Sequence, residues 1–458
     1  VRAPSGHRHD EQTGLDHTYH TEPGGVGKMN NLKKTLTLSS LGLLTLSIQS
    51  AYGSPSRLEA FNGDTNSRQH WQLLVNNQPY QIRGVGCAKA EGAGDVDYLH
   101  LAKTLGANTV RTWGLTHTDT DYLDRAAELG LQVAVGIWLP HPKTKPLYQN
   151  PNSEELVRLR AHILTQVDQL RTHPAVLLWV VGNEVLHAAD SPSERTGFLI
   201  FLESLIKEIK TRDPDHLVSY AAAESVDLQM LNQSVPSLDI IGINLYSDPR
   251  KLQHRKQLSG ESRPLLFTEF GPRRPEDMRL DELGYPVTPT DQAKARRYVR
   301  RLDQLDSLSK QTLGAFVFRL GDPKPDDLHW WNLSYGDNPR AAYVAIAQRY
   351  QGDDWDDAPI CKATPSARIQ VAPGTFLQLQ ISDQTLSHAR YGSHFWPVES
   401  HVRTQPASTL LTPVQISATP NMRVSAPDQP GDYWLITHAV HANGTACVQR
   451  SSLRVQQP

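Results

Sequence analysis

The feature that most constrains the fold is a regular alternation, across residues 81–350, of short apolar runs with helical patterns. This alternation indicates βαβ units. The predicted strands span residues 81–86, 108–113, 131–138, 175–181, 217–222, 239–246, 264–269 and 315–320. Eight units with right-handed crossovers close into a barrel. An open doubly wound sheet usually has a glycine-rich phosphate turn after its first strand, and residues 84–89 lack one. The sequence therefore predicts an α/β fold, a (β/α)8 TIM barrel.

The helix after the first strand illustrates the local signals. Apolar residues recur at three-residue steps from Val96 through Leu99 to Leu105, which indicates one buried helix face. An acidic residue before this run, Asp95, is the predicted N-cap.

The barrel has predicted segments on both sides. Residues 54–80 are expected to form a short hairpin that closes the bottom of the barrel, so that the catalytic unit covers residues 54–350. Residues 351–359 are acidic and contain proline, which favours a linker. Residues 360–458 carry short alternating runs separated by turn residues and no helical period, a pattern typical of a small immunoglobulin-like β-sandwich.

The first 53 residues contain a targeting signal. Residues 1–28 are polar and show no periodicity, so we interpret them as a disordered or non-native leader. Residues 29–53 combine Lys33 and Lys34, an apolar segment and a small-residue ending, Ala51 to Gly53, which together indicate a signal peptide. We expect export to the periplasm or the extracellular space. No later stretch reaches about 20 apolar residues, so no stable membrane span is predicted.

Charge and cysteine content limit the partners. The formal net charge is -2, so no basic surface favours nucleic acid or anionic lipid. In an exported chain, Cys361 and Cys447 could form a disulfide, and Cys87 is then a small buried thiol. No histidine–carboxylate spacing indicates a metal, and no cofactor is predicted. The oligomeric state stays open.

Two of the predicted strands end in a glutamate. The fourth ends in Gly182-Asn183-Glu184, and the seventh ends at Glu269. Because the carboxyl ends of barrel strands face one mouth, we expect the two carboxylates to meet there. Retaining glycoside hydrolysis requires such a pair. Glu184 is the predicted acid/base, Glu269 the predicted nucleophile, and Asn183 a donor to a sugar hydroxyl.

At these residues the chain resembles clan A glycoside hydrolases. The segments 82–85, 106–111 and 179–184 are similar to the barrel of family 2 β-glycosidases and to β-1,3-glucanosyltransferases. The resemblance implies that Arg111 supports the nucleophile electrostatically and that Tyr246 donates a hydrogen bond to Glu269. The ordinary alternatives are a structural ion pair for Arg111 and a core tyrosine for Tyr246.

Other side chains at the predicted mouth are candidates for sugar contacts. Trp113, Trp138 and His141 follow strands two and three and either line sugar subsites or serve packing. Phe318 stands where family 2 members usually have tryptophan, with Trp330 and Trp331 as substitutes. Glu224, after strand five, either binds sugar hydroxyls or faces solvent.

These observations predict a function. Family 2 exo-enzymes carry a large jelly-roll domain ahead of the barrel, and this sequence shows no counterpart of it. The difference from those enzymes leaves room for an open cleft and a polymeric, β-glucan-like carbohydrate substrate. We therefore expect a secreted retaining β-glycoside hydrolase that acts on a β-linked polysaccharide or oligosaccharide. A β-glucan transglycosylase would use the same residues. A catalytically silent carbohydrate-binding or assembly protein is the third possibility, although silencing normally removes a carboxylate.

Overall fold

The computed structural model describes residues 54–62, 69–88, 96–116, 118–143, 145–224, 226, 228–308, 312–321, 330–352, 361–365, 370–383, 389–398 and 415–457. The predicted leader and signal peptide lie outside the described residues, as do positions 353–359 of the predicted linker. The proposed domain boundaries stay predictions. In the part of the chain that the structure describes, no helix is both long and apolar enough to cross a bilayer.

Eight parallel strands form a closed barrel, as the sequence predicts. They are β4 (Ile82–Cys87), β5 (Thr109–Arg111), β6 (Gln132–Ile137), β7 (Val176–Asn183), β8 (Leu217–Ala223), β9 (Ile240–Leu245), β10 (Leu265–Phe270) and β11 (Thr312–Leu320). Consecutive strands are neighbours, and β11 pairs with β4 to close the ring. Residues 176–182 of β7 are all buried, which explains why this strand reads as a continuous apolar run.

Helices follow the strands around the barrel. They are α1 (Tyr98–Thr104), α2 (Thr120–Glu128), α3 (Glu154–Leu170), α4 (Val185–Ala188), α5 (Pro192–Arg212), α6 (Leu228–Ser234), α7 (Pro249–Leu258), α8 (Asp291–Asp306) and α9 (Ala341–Gln351). A short antiparallel pair, β12 (Ser334–Tyr335) and β13 (Asn338–Pro339), lies between β11 and α9. The predicted cap of the first helix is wrong. Asp97 is the N-cap, and its carboxylate accepts a hydrogen bond from the His100 backbone amide. Asp95 lies outside the described residues.

A small sheet covers the amino-terminal end of the barrel. Its strands are β1 (Ser56–Asn62), β2 (Gln69–Val75) and β3 (Gln78–Tyr80), so the predicted hairpin has a third strand. Leu73 and Val75 pack in one apolar cluster with Phe316 and other side chains inside the barrel. This cluster closes the bottom of the barrel and leaves the carboxyl ends of the strands as the open face.

Two antiparallel-rich sheets follow the barrel. The first contains β14 (Cys361–Pro365), β16 (Phe376–Asp383) and β19 (Asn421–Ser425). The second contains β15 (Gln370–Val371), β17 (Arg390–Pro397), β18 (Gln415–Ser417), β20 (Gly431–Val440) and β21 (Ala446–Val455). We call these eight strands the C-terminal module. An immunoglobulin-like topology stays a prediction.

The cysteines differ in state. Cys87 is a free, fully buried thiol, as predicted, and burial raises its pKa to about 12. Cys447 is disulfide-bonded, whereas the side chain of Cys361 lies outside the described residues.

Candidate active site

Glu269 lies near the end of β10 and is 7% exposed. The pairing of β10 with β9 shifts register between Phe267 and Glu269, and Glu269 lies opposite Asn244. Such irregularities re-aim a side chain near the end of a strand. The Glu269 carboxylate lies among polar groups from the ends of β5 and β9.

Three side chains donate to the Glu269 carboxylate. Arg111 Nη1 and Trp113 Nε1 donate to Oε1 at 2.9 and 2.8 Å. The Tyr246 hydroxyl donates to Oε2 at 3.1 Å. Hydrogen bonds to an ionised acceptor are the stronger kind, so these three donors fix the orientation of both oxygens.

Arg111, at the end of β5, is 1% exposed and joins the two predicted catalytic strands. Besides the ion pair with Glu269, it donates to the Thr268 carbonyl at 2.7 Å and to Asn183 Oδ1 at 2.8 Å. A buried guanidinium is costly unless it is paired and hydrogen-bonded, and these contacts supply both conditions. Arg111 therefore holds the ends of β7 and β10 in one arrangement.

Glu184 follows β7 in a left-handed backbone conformation, with φ of 53°. Gly182, two residues earlier, also has a positive φ of 82°, which glycine adopts without a steric penalty. A left-handed conformation is uncommon for glutamate and concentrates at functional sites. These two positions turn the chain sharply from β7 into α4, where Glu184 is the N-cap residue.

The Glu184 carboxyl differs from that of Glu269 in its partners. Its Oε1 accepts a hydrogen bond from Asn244 Nδ2 at 2.9 Å. Burial raises the pKa of Glu184, and the negative charge of Glu269 raises it further, against the lowering effect of the Asn244 hydrogen bond. One carboxyl of the pair is thus surrounded by donors, and the other is biased toward its protonated form.

Asn244 contacts the Glu184 carboxyl directly and was not predicted from the sequence. Its amide nitrogen donates to Asn183 Oδ1 at 3.1 Å as well as to Glu184. Its oxygen accepts from the Thr268 hydroxyl at 2.8 Å. The available signal was a single polar side chain in the otherwise apolar strand β9, where it is 1% exposed.

Glu224 is partly buried and binds the backbone at Tyr246, beside the site. Its Oε2 accepts hydrogen bonds from the backbone amides of Tyr246 and Ser247, at 2.8 and 2.9 Å. Arg297 and Arg301 donate to the Tyr246 carbonyl at 3.0 and 3.2 Å. Charged side chains therefore hold both sides of the residue whose hydroxyl contacts Glu269.

An aromatic cluster lies against these polar groups. Phe318 packs edge-on to Trp113 with ring centroids 5.6 Å apart, and to Trp331 at 5.3 Å. Trp331 also packs against Tyr246 at 5.5 Å. Trp330, by contrast, is 2% exposed and donates to the Arg273 carbonyl, so Trp331 is the tryptophan of this pair that reaches the site.

Trp138 and His141 follow β6 and extend the site outward. Trp138 is 44% exposed, and its ring lies 5.2 Å from that of His141. His141 Nε2 lies 2.6 Å from the Asn183 carbonyl and therefore donates to it. Every side chain predicted for the site thus lies in or beside one connected group.

Within the described residues, no three or more histidine, cysteine, aspartate or glutamate side chains are grouped in a way that could hold a metal ion. The chemistry that this arrangement permits is proton transfer by one carboxyl and nucleophilic or electrostatic action by the other.

A comparison with protein-family models agrees with the barrel fold. Residues 69–276 match the family model described as glycosyl hydrolases family 2, TIM barrel domain. The predicted resemblance to the barrel of family 2 glycoside hydrolases is therefore confirmed.

Individual relatives are distant. No curated protein sequence matches the chain significantly. A β-glucuronidase from Faecalibacterium prausnitzii matches with a TM-score of 0.45 and 18% identity, over 64% of this chain and 52% of that chain. An endo-1,4-β-mannanase from Eisenia fetida matches with a TM-score of 0.42 and 15% identity, over 64% and 94%. A β-galactosidase from the psychrophilic Marinomonas ef1 matches with a TM-score of 0.43 and 12% identity, over 58% of each chain. The chain thus spans about half the length of the β-glucuronidase.

Proposed function

We propose that this protein is an exported, retaining β-glycoside hydrolase that cleaves a β-linked polysaccharide or oligosaccharide by double displacement. The observation that carries the proposal is the unequal environment of two neighbouring carboxyl groups. Glu269 accepts from Arg111, Trp113 and Tyr246, whereas burial and the charge of Glu269 raise the pKa of Glu184. Paired carboxyls whose environments differ in this way can divide the roles of nucleophile and acid.

In the first step, the Glu269 carboxylate attacks the anomeric carbon and the glycosidic C–O bond breaks. Glu184 transfers its proton to the departing oxygen. The product is a glycosyl ester on Glu269 and a free alcohol group on the leaving sugar. Arg111 and Tyr246 orient the attacking oxygens, and Asn183 is available to a hydroxyl beside the reacting carbon.

In the second step, the Glu184 carboxylate accepts a proton from water while the water oxygen attacks the anomeric carbon. The ester bond to Glu269 breaks, and both carboxyl groups return to their starting states. A sugar hydroxyl in place of water would give a transglycosylase, and the reaction products distinguish the two.

A substrate longer than one sugar is supported by the placement of Trp138. Its ring is 44% exposed beside His141, on the β6 side of the site, away from the Phe318–Trp331 cluster on the β11 side. Exposed aromatic rings suit stacking against sugar faces. Export is supported by the signal-like sequence at residues 29–53 and by the disulfide of Cys447, because disulfides persist in oxidising compartments. We further propose that the C-terminal module is an immunoglobulin-like sandwich.

The test begins with purified protein and linear β-glucans, β-mannans and β-galactans, with product lengths and anomeric configuration followed by chromatography and NMR. We expect Glu269→Gln to lower kcat more than roughly 10³-fold without loss of fold. Azide should rescue Glu269→Ala and yield a glycosyl azide of inverted configuration. Glu155→Gln, at an exposed position on α3, is the matched control and should keep full activity.

Full activity in Glu269→Gln, or a first-formed product of inverted configuration from the unmodified protein, would refute the mechanism. Cleavage of none of the glycans would refute the proposed activity toward these substrates. Longer products than the starting oligosaccharide would identify transfer in place of hydrolysis.

A further inference from the structure

We infer that the C-terminal module holds Trp331 in place beside the active site, so that Trp331 contacts the bound glycan and Arg450 positions Trp331. The inference rests on the proposed function, because it assigns a sugar-contacting surface to the same site. The contacts that carry the inference run from strand β21 of the module to residues 330–332 of the barrel.

Trp331 contacts Tyr246, one of the side chains that hold the predicted nucleophile. Its ring packs against Phe318 at 5.3 Å and against Tyr246 at 5.5 Å, and the Tyr246 hydroxyl donates to Glu269. Trp331 is half-buried, so part of its indole remains accessible. An accessible indole beside the reacting carboxylate can stack on a sugar ring.

The residue before Trp331 is anchored by the module. The Arg450 guanidinium lies over the Trp330 ring at 5.0 Å and over the Trp434 ring of the module at 3.8 Å. Arg450 Nε also donates to the Thr288 hydroxyl of the barrel at 2.9 Å. Trp330, Trp434 and Arg450 are each less than 10% exposed, and cation–π contacts are strongest when they are desolvated.

The residue after Trp331 is anchored through a second route. Arg340 Nη1 donates to the Asn332 carbonyl at 2.7 Å, and Arg340 forms a buried ion pair with Asp291. Asp291 Oδ2 accepts in turn from the backbone amide of Val448 in the module, at 3.1 Å.

The two routes start two residues apart on a single strand, β21. One starts from the Val448 backbone amide and the other from the Arg450 side chain. Arg450 contacts Trp330 directly. The Val448 amide is linked to Asn332 through the charged side chains of Asp291 and Arg340. Both neighbours of Trp331 are thus linked to the module, Trp330 directly through its ring and Asn332 through Arg340 and Asp291.

The experiment measures binding to the Glu269→Gln protein, which is expected to bind glycan without cleaving it. The probe is laminaripentaose, cellopentaose, mannopentaose or β-1,4-galactopentaose, chosen as the pentamer of the glycan that the unmodified enzyme cleaves. Isothermal titration calorimetry then compares Arg450→Ala, Trp331→Ala and the double variant in this background. The matched control is Arg423→Ala, since Arg423 also lies over an aromatic ring of the module, Phe376, at 3.8 Å.

We expect Arg450→Ala to raise Kd about 5- to 10-fold, in line with the loss of an aromatic contact. Trp331→Ala should raise Kd at least as much. The double variant should bind no more weakly than Trp331→Ala alone, because Arg450 acts through Trp331. A purely structural role for Arg450 would instead give additive losses. Arg423→Ala should leave Kd unchanged.

Equal Kd values for the parent, Arg450→Ala and Trp331→Ala would overturn the inference while leaving the proposed function intact. Failure to cleave any glycan in the activity screen would instead count against the proposed function. If Arg450→Ala does not fold, Arg450→Lys takes its place, because lysine keeps the charge and loses the planar guanidinium. An unchanged Kd in Arg450→Lys and in Trp331→Ala would again reject the inference.

Discussion

The two glutamates at the barrel mouth show how neighbouring residues acquire different properties. Glu269 is contacted by a guanidinium, an indole and a phenol that all donate to it. Glu184 has the Asn244 amide as a donor, and burial and the nearby charge of Glu269 raise its pKa. A folded protein that shifts a pKa in this way also makes its own stability depend on pH.

The first prediction concerns Glu184→Gln. Because the folded-state pKa of Glu184 is raised, the folded protein binds this proton more tightly than the unfolded chain does. The contribution of Glu184 to stability is therefore fully present at low pH and is lost as the pH rises through the folded-state pKa. We expect Glu184→Gln to have a higher Tm than the parent at pH 8 and a smaller difference at pH 4, as measured by differential scanning calorimetry.

Glu282→Gln is the control for this measurement, because Glu282 is exposed. Its difference in Tm from the parent should not grow as the pH rises. A Glu184→Gln protein that is less stable than the parent at pH 8 would contradict a raised pKa for Glu184 in the folded protein.

At the level of secondary structure, the first turn of α8 is a buried contact between the barrel and the module. Asp291 begins this helix, and its carboxylate is shared by Arg340 and the Val448 amide of β21. Asp291 is 5% exposed and Arg340 is 2% exposed. Removing one partner of a buried pair leaves the other charge buried without compensation.

The second prediction concerns Asp291→Ala. The buried Arg340 guanidinium would lose its carboxylate, so we expect a loss of about 3–5 kcal/mol in the free energy of unfolding, as measured by urea denaturation. Lys145→Ala removes one partner of an exposed pair with Glu155, whose side chains are 75% and 56% exposed. That control should change stability by about 1 kcal/mol or less. Similar losses in the two variants would show that the junction is not a buried ion pair.

For the whole molecule, the disulfide at Cys447 links the stability of the fold to the redox conditions around the protein. The chain has three cysteines, of which Cys87 is a free buried thiol and Cys447 is disulfide-bonded. A disulfide stabilises largely by restricting the unfolded chain, and it forms in oxidising compartments.

The third prediction concerns this disulfide. The denatured, unreduced protein should react with one equivalent of a thiol reagent, and the reduced protein should react with three. Cys447→Ser should lose about 2–5 kcal/mol in the free energy of unfolding under non-reducing conditions. With reductant present, parent and variant should have nearly equal stability, which serves as the internal control. A count of three thiols without reductant would contradict the bond.

The barrel could be predicted because its signals are local. A buried parallel strand such as β7 reads as a continuous apolar run, and the helices show a period that matches one buried face. The cap of α1 was misassigned by two positions, because both positions carry an aspartate and the residue types alone do not show where the helix begins. The third strand of the amino-terminal sheet was missed because β3 has three residues, too few for a period.

The strand pattern was enough to predict that Glu184 and Glu269 share one face of the barrel, because parallel strands direct their carboxyl ends to the same face. How these two groups are held depends on contacts between residues that are distant in the sequence. Asn244 donates to Glu184 across 60 positions of sequence, and Arg111 reaches Glu269 across 158. The tertiary structure also decided that Trp331 contacts the site while Trp330 is buried against Arg450. Periodicity reports which face of an element is buried, but a hydrogen bond between distant residues depends on the register and packing of the whole barrel.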